Sequence, residues 1–151
     1  TIKKISMKKM ILGLAFALSS LASFAKDENV SQKVLDAFHS SFATVSQVEW
    51  ANGSNYYRAS FVYNNKHVFA YYDLDGQLMG LTRYLSSTDL PLNLQTSLKN
   101  DYSDYWISDL FEAAREDGTT YYITLENADT RIVLKSTGTL EWEQYKKFRK
   151  V

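Results

Sequence analysis

The chain has 151 residues with 17 basic and 17 acidic side chains, no cysteine and a single proline, and 15% of it is aromatic. Without cysteine there is neither a disulfide framework nor thiolate chemistry, so an apolar core has to hold the fold unaided. Balanced charge argues against a binder that tracks nucleic-acid phosphates, which needs a basic face to displace counterions.

Lys8 and Lys9 precede an apolar run over residues 10–18, and Ala22, Ser23, Phe24 and Ala25 end it with small residues. This predicts a secretory signal peptide, residues 1–25, cut after Ala25. A membrane-spanning helix is the alternative, but Ser19 and Ser20 interrupt the run, which falls short of the roughly 20 apolar residues a bilayer core requires. Residues 1–6 lie upstream of Met7, the better start. Cleavage removes Lys3, Lys4, Lys8 and Lys9 and no acid, which leaves 13 basic against 17 acidic side chains. Roughly 125 residues then form one domain, 26–151, able to bury about two-thirds of its extended surface. The expected product is soluble, periplasmic or secreted, with no stable membrane insertion after cleavage and no nucleic-acid partner.

Val30, Val34, Phe38 and Phe42 recur every four residues with Leu35 beside them, one stripe of an amphipathic helix that Asn29 or Ser31 could cap. Residues 45–50 read as a strand with Val48 and Trp50 on one side, and residues 52–55 turn the chain. Residues 56–63 and 66–73 form a hairpin closed by Asn64 and Asn65, which tolerate left-handed turn conformations. Its register sets Tyr57 opposite Tyr72, Ala59 opposite Ala70 and Phe61 opposite Val68 on the core face. The other face carries Tyr56, Arg58, Ser60, Val62, His67, Phe69 and Tyr71. Asp75-Gly76 predicts a type I′ turn into a further strand over 77–85.

Asp89 is the expected N-cap of a second helix, with Pro91 in its first turn and Leu90, Leu94, Leu98 and Tyr102 on its apolar stripe. Strands over 106–114, around Tyr121, Ile123 and Leu125, and around Ile132 and Leu134 follow, and Gly138 turns the chain into 140–145. Lys146, Lys147, Arg149 and Lys150 read as a frayed basic tail, with weak contact to an anionic surface as the alternative.

The halves match at a spacing of roughly sixty residues: Phe42 with Tyr102, Tyr57 with Tyr121, Phe61 with Leu125, Gly76 with Gly138 and Leu78 with Leu140. The predicted fold class is α+β, two tandem repeats (about 30–85 and 89–145), each of one helix plus a four-stranded antiparallel sheet, with the helices on one sheet face, and two such units side by side could form a continuous sheet. The order of Val48-Glu49-Trp50, Tyr57 to Phe61, Ala70-Tyr71-Tyr72-Asp73 with Asp75-Gly76, Asp89-Leu90-Pro91 with Leu94, and residues 121–125 resembles the PepSY-like, β-lactamase-inhibitor-like family of small exported proteins. The likeness covers nearly the whole mature chain. It implies an α+β repeat and, in the inhibitor that names the fold, an exposed sheet face that grips a protein. That inhibitor carries disulfides, which a chain without cysteine cannot.

No constellation announces catalysis. His39 and His67 are the two histidines and neither sits at metal-ligand spacing from other ligands, so no metal or cofactor is expected. Asp73 to Gly76 has the opening letters of a calcium loop without its third oxygen ligand or distal Glu, and a β-turn explains the same letters. There is no Gly-x-Ser-x-Gly elbow, and the carboxylate pairs Asp73/Asp75 and Glu116/Asp117 lie in turns that lack the burial needed for general-acid work. The chain reads as no enzyme. The candidate protein-binding face is Tyr56, Arg58, Phe69, Tyr71 and Tyr122, with Arg131 and Trp142 as its extension, since Tyr and Arg on a rigid support dominate binding hot spots. The function expected is an exported non-catalytic binding module, inhibitor-like or otherwise, for a protein or peptide. The alternative is a small-ligand or metal-ion sensor using the groove between repeats.

Overall fold

The computed structural model describes residues 24–25, 29–138 and 141–150. The expected leader lies outside the described residues except for its last two, and so does Leu140. Strand β1 (Phe24–Ala25) is followed by helix α1 (Gln32–Ser41), then β2 (Val48–Asn52), β3 (Tyr56–Tyr63), β4 (Lys66–Asp73) and β5 (Leu78–Tyr84). A 3₁₀ turn (Ser87–Asp89) leads into α2 (Leu92–Asp101), and β6 (Trp106–Arg115), β7 (Gly118–Glu126), β8 (Thr130–Thr137) and β9 (Glu143–Arg149) complete the chain.

All strands join one antiparallel sheet in strictly sequential order, β1 through β9. This overturns the expected architecture of two tandem units, each a helix with its own four-stranded sheet. At the boundary Leu81 pairs with Ala114, Thr82 with Ala113, Arg83 with Glu112 and Tyr84 with Phe111. Separate sheets would leave the backbone donors and acceptors of β5 and β6 as unpaired edges, and the ladder satisfies them instead.

Both helices pack on one face of the sheet. Under α1, Val34 and Phe38 are fully buried against Trp50, Ala59, Phe61, Ala70 and Tyr72. The Phe38 ring lies 5.3, 5.4 and 5.1 Å from those of Phe42, Trp50 and Phe61, within the range of favourable aromatic pairing. Under α2, Leu94 meets Leu110, Ile123, Leu125, Ile132 and Leu134. On the same face the paired residues Arg83 and Glu112 form a salt bridge.

The β3–β4 hairpin has the expected register, with Asn64 at φ 49° and Asn65 at φ 59°. The next turn differs: Gly76 alone has positive φ, 85°, so Asp75 keeps an ordinary conformation and the turn is not type I′. The Asp73 carboxylate accepts the amides of Asp75 and Gln77 and stabilises this wider loop. Pairing then slips between Tyr71↔Gly80 and Tyr72↔Leu78, so Met79 is bulged out beside Tyr71. Asp89 does not cap α2; it accepts the Ser86 amide and hydroxyl and completes a capping box on the 3₁₀ turn, while Pro91 occupies the N-cap position of α2. The basic C-terminal segment is not a frayed tail. It is β9, whose Lys146, Lys147 and Arg149 pair with β8 and place charge along the sheet edge, a common guard against edge-to-edge association.

Candidate functional site

Strand alternation puts Tyr56, Arg58, Phe69, Tyr71 and Tyr122 on the side of the sheet away from both helices. The buried cluster on that side, Phe111, Ala113 and Tyr122, contains no helix residue. Following the ladder across the strands gives three rows on this far face. The first runs Ala51, Arg58, Tyr71, Gly80; the second Ser60, Phe69, Thr82, Ala113, Thr120; the third Tyr84, Phe111, Tyr122, Lys135. Gly80, Thr82 and Ala113 therefore make a small-residue floor between two aromatic groups.

On the β3–β4 side, the Tyr56 and Tyr71 rings are 5.9 Å apart, and the Arg58 guanidinium lies 5.3 Å above the Phe69 ring. Phe69 in turn meets Tyr84 edge-on at 5.9 Å. Tyr56, Arg58 and Phe69 are half-buried, and Tyr84 is 45% exposed. On the other side, Phe111 stacks on Tyr122 at 5.2 Å, and Tyr145 meets Tyr122 edge-on at 6.1 Å. Tyr71 and Tyr122 are buried, at 3% and 2% exposure, so they line the base of the face while Tyr56, Arg58, Phe69 and Tyr84 form its accessible rim.

Three polar atoms at the centre of the face are buried and make no well-formed hydrogen bond, Arg58 Nε, Tyr71 OH and Thr82 Oγ1, although the Thr82 and Arg58 side chains both interact with the Tyr71 hydroxyl. Burial raises the Tyr71 phenol above its usual 10.0, with Thr82 and the Arg58 guanidinium opposing it, so the hydroxyl stays protonated at neutral pH. Burial also raises Tyr84, with the Asp109 charge adding to it and Arg58 opposing. Asp109 is itself raised by burial, its backbone hydrogen bond with Leu110 pulling the other way.

At one end of the same face Trp106, Glu126, Arg131 and Phe148 are register neighbours. Trp106 and Phe148 are 53% and 48% exposed, and Lys150 Nζ sits 4.7 Å over the Trp106 ring. Arg131 and Lys150 converge on the Glu126 carboxylate at 2.9 and 2.7 Å, and their hydrogen bonds, with that of Ser108, lower it from 4.5 to about 2. Trp142, expected on this face, is on the helix side: its ring packs in the α2 cluster and Nε1 donates to the Leu94 carbonyl at 3.1 Å. It lies in the β8–β9 connection, where strand alternation does not apply.

His67 and Ser60 are hydrogen-bonded across the hairpin, Nε2 to Oγ at 2.9 Å, beside an open depression of about 600 Å³ that Glu49 and Val62 also line. His67 is exposed, its ring meets Phe69 edge-on at 5.0 Å, and among the described residues no acid hydrogen-bonds its other nitrogen. A Ser–His pair without an orienting acid lacks the third member of a hydrolytic triad. No group of three or more His, Cys, Asp or Glu among the described residues converges as a metal site would need. No helix among them is long and apolar enough to cross a membrane.

Thr82, Tyr84, Phe111 and Ala113 belong to the face and were missing from the sequence reading. Alternation along 81–84 and 110–113 could have assigned their side, but their adjacency to Tyr71 and Tyr122 depends on the β5–β6 pairing.

No family model matches the chain, and no curated protein matches it. Solved structures share its fold. A BLIP-like protein from Bacteroides fragilis aligns with TM-score 0.67 and 17% identity, covering 80% of this chain and 86% of that one. A DUF2874 family protein from Bacteroides ovatus aligns at 0.70 and 16%, covering 80% and 88%. A candidate periplasmic protein from Bacteroides eggerthii aligns at 0.69 and 14%, again covering 80% and 88%. The chain thus has a BLIP-like fold, and at these identities the likeness is one of fold alone.

Proposed function

We propose that this chain is an exported, non-catalytic binding module that docks a protein or peptide segment on the far face of its sheet. The observation that carries the reading is an accessible aromatic and arginine rim (Tyr56, Arg58, Phe69, Tyr84) on the sheet side opposite both helices. Such side chains supply large contact area at small conformational cost, and truncating one at the centre of an interface costs about 2 kcal/mol or more. The support is one continuous antiparallel sheet, and a preorganised support reduces the entropy lost on association. The BLIP-like fold and the candidate periplasmic neighbour favour export and an inhibitor-like mode of binding. An isolated, exposed Ser60–His67 pair favours binding over hydrolysis.

The test is affinity capture from the envelope fraction of the native host, with identification of what is retained. The triple variant Tyr56→Ser, Arg58→Gln, Phe69→Ser changes only half-buried side chains, so its melting temperature should stay within a few degrees of the parent while capture is lost. Equal capture by the triple variant would dispose of the reading.

A further inference from the structure

Asp109 stands apart from the neighbouring acids on the β6–β9 half of the far face. Glu126 takes Arg131 and Lys150 at 2.9 and 2.7 Å, and Glu143 takes Lys135 at 3.6 Å. No cation among the described residues pairs with Asp109; a hydrogen bond with the Leu110 backbone favours its ionised form, and burial opposes it. The register explains the isolation. After the irregularity at Ser108, Asp109 pairs with Thr124 on β7, one far-face step along β6 from Phe111. The ladder on its other side stops at Tyr84, opposite Phe111, so Asp109 has a strand partner on one side only. It is half-buried, in contrast to Tyr71 at 3% exposure, and neither of its oxygens is among the sealed, unpartnered polar atoms of the fold.

We infer that Asp109 and Tyr84 receive one basic side chain, a lysine or arginine, carried on the docked protein segment. The inference rests on the docking reading above and adds the charge of the partner. An ionised carboxylate only accepts hydrogen bonds, so its complement is a donor that carries positive charge. Tyr84, 45% exposed, lies close enough for the Asp109 charge to act on its phenol, and an aromatic face attracts a cation held within about 6 Å of it. Trp106, the far-face residue of β6 on the other side of Asp109, already has Lys150 Nζ over its ring, which leaves Tyr84 as the accessible aromatic neighbour. A metal ion would need more ligands, and no group of three or more ligating side chains converges among the described residues. From β3, Arg58 acts on the same Tyr84 phenol, and its charge repels a second cation over Phe69. The segment therefore carries one basic residue with an apolar one beside it. Partly buried charges are screened less than exposed ones, so this contact fixes the register of docking as well as adding affinity.

The experiment uses end-blocked octapeptides with one Lys or Arg beside one Leu in an otherwise neutral sequence, each matched by its norleucine or citrulline counterpart. They are titrated at constant ionic strength against the full chain and against Asp109→Asn and Asp109→Lys, with methylammonium as a competitor. The expected result is binding about fivefold tighter for the basic than for the neutral peptides, a preference reduced to within about twofold by Asp109→Asn. Asp109→Lys should reverse the order, so that the neutral peptides bind more tightly. The comparison of basic with neutral peptides on the parent chain needs no variant, so it decides the matter even where a substitution lowers stability. Binding that is weakened by Phe69→Ser but is equal for basic and neutral peptides would overturn the cation receptor and leave the docking face standing. Displacement by millimolar methylammonium would overturn it in favour of a free-cation site, and no peptide binding at all would remove both readings.

Discussion

Tyr71 joins most of the physical tensions of the far face: it is 3% exposed, its hydroxyl makes no well-formed hydrogen bond and only interacts with the Thr82 and Arg58 side chains, and it sits opposite the one residue of β5 without a side chain, Gly80. An unsatisfied buried hydroxyl weakens the free protein, because its hydration is lost without replacement. Replacing it with hydrogen is therefore predicted to leave stability unchanged or raise it by about 1 kcal/mol in Tyr71→Phe, measured by urea unfolding. A loss of more than about 1 kcal/mol would mean that the hydroxyl is bonded in solution and that the centre of the face is structural. The side of the sheet on which Tyr71 and Tyr122 lie was legible from alternation alone. Their depth was not, because period-two patterning assigns a face without saying which long side chains lie across small neighbours such as Thr82 and Ala113.

Among the elements, the β3–β4 hairpin was the most legible, since two adjacent asparagines fix both the turn and the register that follows from it. The β4–β5 turn was less so. Asp-Gly letters suit a two-residue turn, but the Asp73 side chain captures two amides and enlarges the loop. That loop reaches α1: a Cβ on Gly76 would stand 2.8 Å from the Lys33 carbonyl oxygen, and the φ of 85° is strained for any L side chain. Gly76→Ala is accordingly predicted to destabilise by more than about 1 kcal/mol, seen as a lower melting temperature. An unchanged melting temperature would mean that the turn does not press on α1. Trp142 was misassigned for the opposite reason: it stands in a connection, where neither helical nor strand periodicity says which way a side chain points, and only the Leu94 carbonyl decides it.

For the whole molecule, the continuity of the sheet was the least legible feature, because matched halves are compatible with two sheets or one and only the β5–β6 ladder distinguishes them. Charge reinforces two places in this molecule, the β7–β9 end of the sheet and the contact of the 3₁₀ turn with β4. Glu126 is held at about 2 against 4.5 by Lys150, Ser108 and Arg131, and Asp89 at about 2 against 3.8 by Ser86 and Lys66. Both folded values are depressed, so their stabilisation is complete above about pH 4.5 and is lost as pH falls towards 2. Melting temperatures of the parent should drop steeply over that interval, and Glu126→Gln should flatten the drop; an identical acid limb in the variant would contradict the Glu126 cluster. The central claim, that the sheet face opposite the helices is where a protein segment docks, is tested most directly by site-specific photo-crosslinking in the native host. p-Benzoylphenylalanine in place of Phe69 or Tyr84 is predicted to give discrete protein adducts, and in place of Leu92, 74% exposed in α2, to give none. Adducts from Leu92 with none from Phe69 or Tyr84 would contradict the account.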